Sequence, residues 1–308
     1  MLKGTKAFLP FVILVLLCIA ALPHFAGIRS ASNAPELFAG GDDSDMREQE
    51  QETIRKSFSF TPGAAHKSLE IDNVFGSIEV TGGASDQVQL VVNKTIRAES
   101  KAKLEEARKK VTLDITQEGD ALRLYVNGPF RCENGGSIRF RGDLGYSVHM
   151  DFTLEIPRNI EINLKTINAG QIRVRNVTGD FKVGNVNGGI EMREMAGSGK
   201  AHTVNGPVKV SFRENPRTNS DFASVNGDIE LFFQRNLSAD FRFKTFNGGV
   251  YSDFPVTSLP VRALQEERRG GKVIFRTDRF SGGRVGSGGP EIKLENLNGD
   301  IRILENHD

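Results

Sequence analysis

From Phe58 onward, apolar and polar residues alternate in short runs bounded by Gly, Asn or Asp. Leu69-Glu70-Ile71, Ile78-Glu79-Val80 and Val88-Gln89-Leu90-Val91-Val92 each read as a half-buried strand. One stretch breaks the two-residue period. Residues 98–110 are strong helix formers with Ala102, Leu104, Ala107 and then Val111 on a thin apolar side, and with cations at the C-terminal end, where the helix dipole favours them. This predicts one covering helix near 98–110. Strands resume at Val111–Ile115, Leu122–Val126 and Val148–Ile156, the last ended by Pro157.

A self-similar unit then takes over, and internal periodicity outranks any single motif. It reads apolar, Asn, Gly, a turn residue, then apolar-x-apolar. The copies are Val186-Asn187-Gly188-Gly189-Ile190, Val204-Asn205-Gly206-Pro207-Val208, Val225-Asn226-Gly227-Asp228-Ile229, Phe246-Asn247-Gly248-Gly249-Val250 and Leu297-Asn298-Gly299-Asp300-Ile301. Degenerate copies occur at Ile167–Val174, Val177–Val183 and Phe75–Val80. Gly188, Gly206, Gly227 and Gly248 are spaced by 18, 21 and 21 residues, with Gly179 and Gly197 about half a period away. Asn-Gly between apolar runs usually marks a tight hairpin. Here the following position holds Pro207 in one copy, and Pro has no N–H with which to close such a turn. The pattern therefore predicts a solenoid corner: the chain bends at Asn-Gly, continues as a short strand, and returns one layer higher with strands paired in parallel. Like residues then stack over like, so the Asn side chains can bond along the corner. Arg173, Glu191, Lys209, Glu230 and Arg302 would point to water.

The fold class expected is all-β, a β-solenoid resembling a parallel β-helix. These residues resemble a family of bacterial exported adhesin-like proteins of unknown function, with a DUF4097-like β-solenoid domain akin to the head of autotransporter adhesins. The resemblance runs from Phe58 to Leu304. It rests on Leu69-Glu70-Ile71-Asp72-Asn73 with Gly76-Ser77-Ile78-Glu79-Val80, on Phe152–Pro157, on the middle repeats, and on Gly288–Leu294 before Asn298-Gly299-Asp300-Ile301. It implies an envelope or surface location and no known catalysis. Residues 130–146 and 255–289 look like insertions against the repeat and are places where binding specificity could reside.

The N-terminus carries an address. Lys3 and Lys6 precede the apolar run 7–22, giving residues 1–32 the form of a signal peptide. The rival reading is an uncleaved membrane anchor, with membrane contact only through residues 7–26. Residues 33–56 are polar and acidic without apolar periodicity and read as a linker, leaving residues 57–306 as a single adhesin-like solenoid domain. The whole chain has 40 Lys+Arg against 39 Asp+Glu, a formal charge of +1. Loss of residues 1–32 removes Lys3, Lys6 and Arg29 and takes the charge to −2. Neither value is the footprint of a nucleic-acid binder. Cleavage also leaves Cys132 alone, so the core and the backbone ladder carry stability without an intramolecular disulfide.

No residue set nominates itself for chemistry: no catalytic, cofactor-binding or metal residues are assigned, and no cofactor is expected. Asp180, Asp228 and Asp300 occupy similar corners and could line up in an acidic row, though each also suits a turn. His66, His149, His202 and His307 lack ligand spacing. Arg141-Gly142-Asp143 matches an adhesion tripeptide of three common residues, and Gly282–Gly289 reads as a flexible loop. Asn93, Asn176 and Asn236 sit in glycan-acceptor triplets, the middle one inside a repeat. The expectation is an exported, non-enzymatic binding or structural module of the cell envelope, at the surface or in the periplasm, with an envelope, glycan or protein ligand unidentified. Two alternatives stand: a periplasmic scaffold or signalling partner of a membrane protein, and a polysaccharide-active β-helix enzyme.

Overall fold

The computed structural model describes residues 46–131, 144–260, 265–269, 272–276 and 280–307. The expected signal peptide or anchor (1–32), the first part of the linker, Cys132 and Arg141-Gly142-Asp143 lie outside them.

Each turn of the chain contributes one short strand to each of two sheets. Among the described residues, ten strands build sheet I and eleven build sheet II. The central turns are Glu161–Lys165 with Ile172–Arg175, Phe181–Gly184 with Ile190–Met195, Gly199–His202 with Val208–Phe212, and Ser220–Asn226 with Ile229–Phe233, the first strand of each pair in sheet II. Neighbouring turns pair in parallel and in register, so that Ile172, Ile190, Val208, Ile229 and Ile301 form one column. Every member of that column is at most 1% exposed. The β-solenoid reading holds because inward residues of both sheets face one another across a dry interior while the alternate residues are left to solvent. The interior is closed by phenylalanines: Phe212 stacks on Phe233 at 5.1 Å between centroids, with Phe222 and Phe241 edge-on to that pair. With no Trp in the sequence, Phe supplies the large apolar area, and it leaves no polar atom to satisfy.

The stacking departs from the expected order at both ends. Ile301–Glu305 pairs with both Ile229–Phe233 and Val250–Ser252. Glu291–Asn298 likewise lies between Ser220–Asn226 and Ala239–Lys244. The last turn in sequence is thus wedged beneath the one that precedes it, rather than added one layer higher. Its Asn-Gly-Asp-Ile has the column residues of its neighbours, and a parallel ladder accepts any strand that matches inward and outward positions. The first turn, Ser68–Asp72 with Ile78–Gly83, is sandwiched in the same way between Ala121–Asn127 with Tyr146–Pro157 and the turn that begins at Glu161.

Pairing beyond the N-terminal turns is antiparallel, against the expectation of parallel strands. Gln87–Ala98 pairs with Tyr146–Pro157 on one side and Glu48–Ser59 on the other. The linker reading of 33–56 therefore fails from Glu48 onward: this polar run is an edge strand, ordered by a continuous ladder and by Ile54 and Phe58 packing on the core. A charged edge strand is a recognised way to keep a sheet from pairing with another molecule. The helix spans Lys101–Lys110, with the Ser100 side chain accepting from the Lys103 amide at its start. Leu104 and Ala107 are buried, whereas Ala102 is exposed. Gly282–Gly289 is not the flexible loop expected: Ser281–Val285 is a strand paired on both sides, with Ala239–Lys244 and Thr257–Leu259.

Candidate binding face

The Asn-Gly corner is built by the sequence itself. Asn247, Asn298, Asn226, Asn205, Asn187 and Asn168 form a ladder in that order, each donating through its side-chain amide to the carbonyl oxygen of the next, at 2.7, 2.7, 2.8, 2.7 and 2.5 Å. Except at Asn168, which Ala169 follows, each Asn is followed by a glycine with a specific duty. Gly227 has φ +152°, and a Cβ there would stand 2.2 Å from the Gly206 carbonyl oxygen. Only glycine allows the corners to approach this closely. One signal escaped the sequence reading. Thr166, Asn185, Thr203, Ser224, Asn296 and Thr245 form a further polar column just inside the corner. Each donates to a glycine carbonyl of a neighbouring layer, as Thr203 does to Gly188 at 2.8 Å and Asn296 to Gly227 at 2.9 Å. This polar column is legible only once the stacking is known, because its members share donor capacity rather than residue type.

The acidic row does not form as drawn. Asp180 lies at the opposite corner, where its carboxylate accepts from the Ser198 amide at 3.1 Å. Asp228 and Asp300 do stack. Asp228 accepts from the Asp300 amide and Asp300 from the Gly249 amide, both at 2.9 Å. Arg302 bridges them, reaching Asp228 at 2.7 Å and Asp300 at 2.6 Å. The Asp300 amide and the Arg302 guanidinium hold the Asp228 carboxyl below its ordinary range. Two stacked carboxylates engaged by backbone amides and a shared guanidinium serve as turn-capping groups, and Asp228, held low, is a poor proton donor.

On sheet I the outward row reads Glu79, Arg173, Glu191, Lys209, Glu230, Arg302, each opposite the next. The signs alternate without a break. Arg173 lies 3.8 Å from Glu191, and Glu230 lies 3.4 Å from Lys209 and 3.2 Å from Arg302. These residues face water as expected and neutralise one another in pairs.

The corresponding row on sheet II reads Glu70, Asn163, Lys182, Lys200, Asp221, Lys293, Arg242. Two adjacent pairs, Lys182 with Lys200 and Lys293 with Arg242, have the same sign. Lys165 stands one row over and completes a basic cluster with Lys182 and Lys200; burial first, and then these two neighbours, push the Lys182 amine below its ordinary range. Among the described residues, neither Lys165 nor Lys200 makes an ion pair. Asp221 is better matched. Burial pushes its carboxyl up, but His202 at 3.3 Å together with Lys293 and Lys200 prevails and holds it low. Lys182 and Lys200 border a shallow recess of about 420 Å³ that the carboxylates Glu70, Glu161 and Asp180 line together with Ser198, Thr218 and Asn219.

The remaining sequence candidates are dispersed. His149 packs against Phe75 at 5.9 Å on the other sheet, and His66 and His307 are exposed elsewhere. Among the described residues no group of three His, Cys, Asp or Glu side chains is placed to hold a metal ion. Nor is any described helix long and apolar enough to cross a membrane. Asn176 is in the left-handed region at φ 60° and donates to the Gly82 carbonyl at 2.8 Å, a turn role.

Residues 160–248 match the family model described as Toastrack DUF4097, so the chain carries that domain over the central turns. The match is narrower than the resemblance read from the sequence. Among solved structures, a candidate cell adhesion protein from Clostridium sporogenes is 11% identical, with 83% of this chain and 100% of that chain covered and a TM-score of 0.41. A candidate adhesin from Bacteroides fragilis is 12% identical, with 83% and 97% covered and a TM-score of 0.36. No curated protein matches.

Proposed function

We propose that this chain, the bearer of a Toastrack domain, is an exported, non-enzymatic module of the cell envelope that binds or braces other surface components along the sides of its solenoid. The observation that carries the reading is where the polar chemistry goes. The Asn ladder, the inner donor column and the Asp228–Asp300–Arg302 bridge all serve backbone or neighbouring layers, and what remains for a partner is arranged in flat rows along a rigid stack. Parallel stacking gives such a surface a fixed period of about 4.8 Å between strands, which suits an extended partner better than a small molecule. The polysaccharide-active enzyme reading loses support on the same ground, since it needs carboxylates converging on one bond with one of them protonated. Export rests on the basic and apolar pattern of residues 1–32, and adhesion-like use on the family resemblance.

The experiment is protease treatment of intact source cells, following the full-length chain beside a cytoplasmic protein that must survive. Digestion is the expected result and supports an outer-surface module. Protection until the envelope is opened would replace it with the periplasmic scaffold reading.

A further inference from the structure

We infer that the open edge of sheet I at Phe246–Ser252 is a dimerisation surface, on which a second copy of this chain pairs antiparallel about a two-fold axis at Val250.

Sheet I ends in two unlike edges. Glu48–Ser59 forms one with a charged strand of 12 residues, and Val250–Ser252 forms the other. Among the described residues, the large apolar side chains left exposed are Phe246, Val250, Tyr251 and Val256, at 77, 36, 55 and 43%. All four belong to that second edge or to the turn that follows it. Single exposed apolar residues are ordinary, whereas a cluster confined to one end of a stack marks a contact surface.

Both patterns that run through the sheet break at this edge. Val250 is the last member of the inward column that contains Ile229 and Ile301, and it alone of that column is exposed. Tyr251 follows Arg302 in the outward row and sets an aromatic ring where the alternation calls for an acid. The backbone is left open as well. Gly188, Gly206, Gly227 and Gly299 each donate an amide to the Asn carbonyl of the next layer, and Ile190, Val208, Ile229 and Ile301 donate likewise two residues on. Gly248 and Val250 hold the same two positions and, among the described residues, meet no further layer of sheet I. Asn247 ends the side-chain ladder, with no further Asn to donate to its carbonyl oxygen.

The edge is complementary to itself. No charged residue occurs from Thr245 to Ser252, so two copies meet there without the like-charge repulsion that opposed strands otherwise suffer. Gly248, Val250 and Ser252 alternate along the strand and turn their backbone groups outward. Antiparallel pairing centred on Val250 lets the two valines exchange both N–H···O bonds and sets Gly248 of one copy against Ser252 of the other. On the inner face Val250 then meets Val250 and covers the exposed end of the column. On the outer face Tyr251 stands opposite Gly249 of the other copy, where the bare backbone gives the ring a place to lie. The ring already lies close to its own Gly249, where a Cβ would stand 2.7 Å from the Tyr251 hydroxyl oxygen. The charged edge Glu48–Ser59 discourages pairing at the other end, so the assembly closes at two copies instead of growing into a fibre.

The test is sedimentation equilibrium of the full chain in a non-ionic detergent over a range of concentrations, where a monomer–dimer equilibrium is expected. Tyr251→Glu supplies the acid that the row lacks beside Arg302 and brings a carboxylate from each copy to the seam. It should weaken dimerisation at least tenfold without lowering the melting temperature, compared where both proteins are monomeric. Oxidation in a Cys18→Ser/Cys132→Ser background reads the geometry. Val250→Cys should join two copies, since directly opposed residues lie within bridging distance, and Thr53→Cys on the charged edge should not. A monomer at every concentration would overturn the second copy as the occupant of this edge. A dimer that Tyr251→Glu leaves intact, or one that Thr53→Cys traps and Val250→Cys does not, would overturn the edge as its seam.

Discussion

The two broad faces of the solenoid are made by the same repeat and differ in one respect. Both present an outward residue every 4.8 Å or so along the stack, and both draw those residues from positions flanked by buried apolar side chains. On sheet I the outward residues alternate in sign over six successive strands. On sheet II the alternation fails at Lys182–Lys200 and again at Lys293–Arg242. Ladders of opposite charge are what selection for stability alone would leave, and sheet I shows that this chain can build one. The departure on sheet II is partly offset within the fold, since Lys293 lies 3.1 Å from Glu295 and Lys200 also stands opposite Asp221. The contrast is a comparison of neighbours within one row, and the rows are otherwise mixed: Arg175 and Arg193 are also opposed on sheet I, but Arg193 is held at 2.5 Å by Glu191.

The comparison assumes that both faces ride on one stack whose register is fixed at the Asn-Gly corner. Gly227→Val is the most severe way to break it. The new side chain would have to adopt a φ of +152° and would place Cβ 2.2 Å from the Gly206 carbonyl oxygen, so corner and strand must separate. Strain of this kind costs about 2 kcal/mol or more. Thermal melts of wild type and variant should differ by several degrees. Coincident melts would mean that the corner does not set the register, and the row-by-row contrast would lose its footing.

How far the sequence went is clearest at this corner. Asn-Gly followed once by Pro207 was enough to exclude a hairpin and to predict stacking, and the Asn ladder followed from stacking. Four things were missed, two of them out of reach of any local pattern and two within it. The wedged first and last turns are set by which strand reaches an open edge, a long-range choice that no local pattern encodes. The strand Glu48–Ser59 is polar because it is an edge, and an edge strand lacks the apolar run that marks a buried one. Asp180 was placed with Asp228 and Asp300 because Gly-Asp recurs, although its half-period offset already assigned it to the other corner. The lysine cluster was within reach by the same offset. Gly179-Asp180-Phe181-Lys182 and Gly197-Ser198-Gly199-Lys200 are 18 residues apart, the length of one layer, and lining them up sets Lys182 beneath Lys200. The row of mixed charges was read as one solvated face because the two sheets had not been separated.

Charge reversals of the same size should then have opposite signs on the two faces. Glu230→Lys on sheet I removes the pairings with Lys209 and Arg302 and leaves three cations in a row, a loss of about 1 kcal/mol. Lys200→Glu on sheet II turns the Lys182 neighbour into a partner but now faces Asp221, so its net gain is at most about 0.5 kcal/mol. Urea titrations at low ionic strength separate the two, and added salt should shrink both differences. A loss of stability in Lys200→Glu as large as that in Glu230→Lys would end the argument that sheet II sets like charges together against its own stability.

The smallest effect concerns acid, and it sharpens the comparison at its boundary. Asp228 closes the sheet I row at the corner, and its carboxyl is held low by the Asp300 amide and by Arg302. Asp300, Glu230 and Arg302 are the other charged groups facing it. A group depressed in the folded state contributes stability that is fully present above its unfolded pKa, about 4, and that is lost as pH falls through the lower folded value. Its side chain is 41% exposed, so solvent screening keeps the contribution small. Acid also reaches sheet II, where Asp221 and Glu295 are held low by His202 and by lysines. The discriminating experiment is therefore a difference: melting temperatures of wild type and Asp228→Asn between pH 6 and pH 2. The variant starts slightly lower and falls less steeply below pH 4, so the curves converge, because wild type alone has this carboxylate to protonate. Parallel curves over that range would mean that the Asp228–Arg302 bridge contributes nothing to the sheet I face. The alternation that distinguishes that face would then be a pattern without an energetic consequence at its corner.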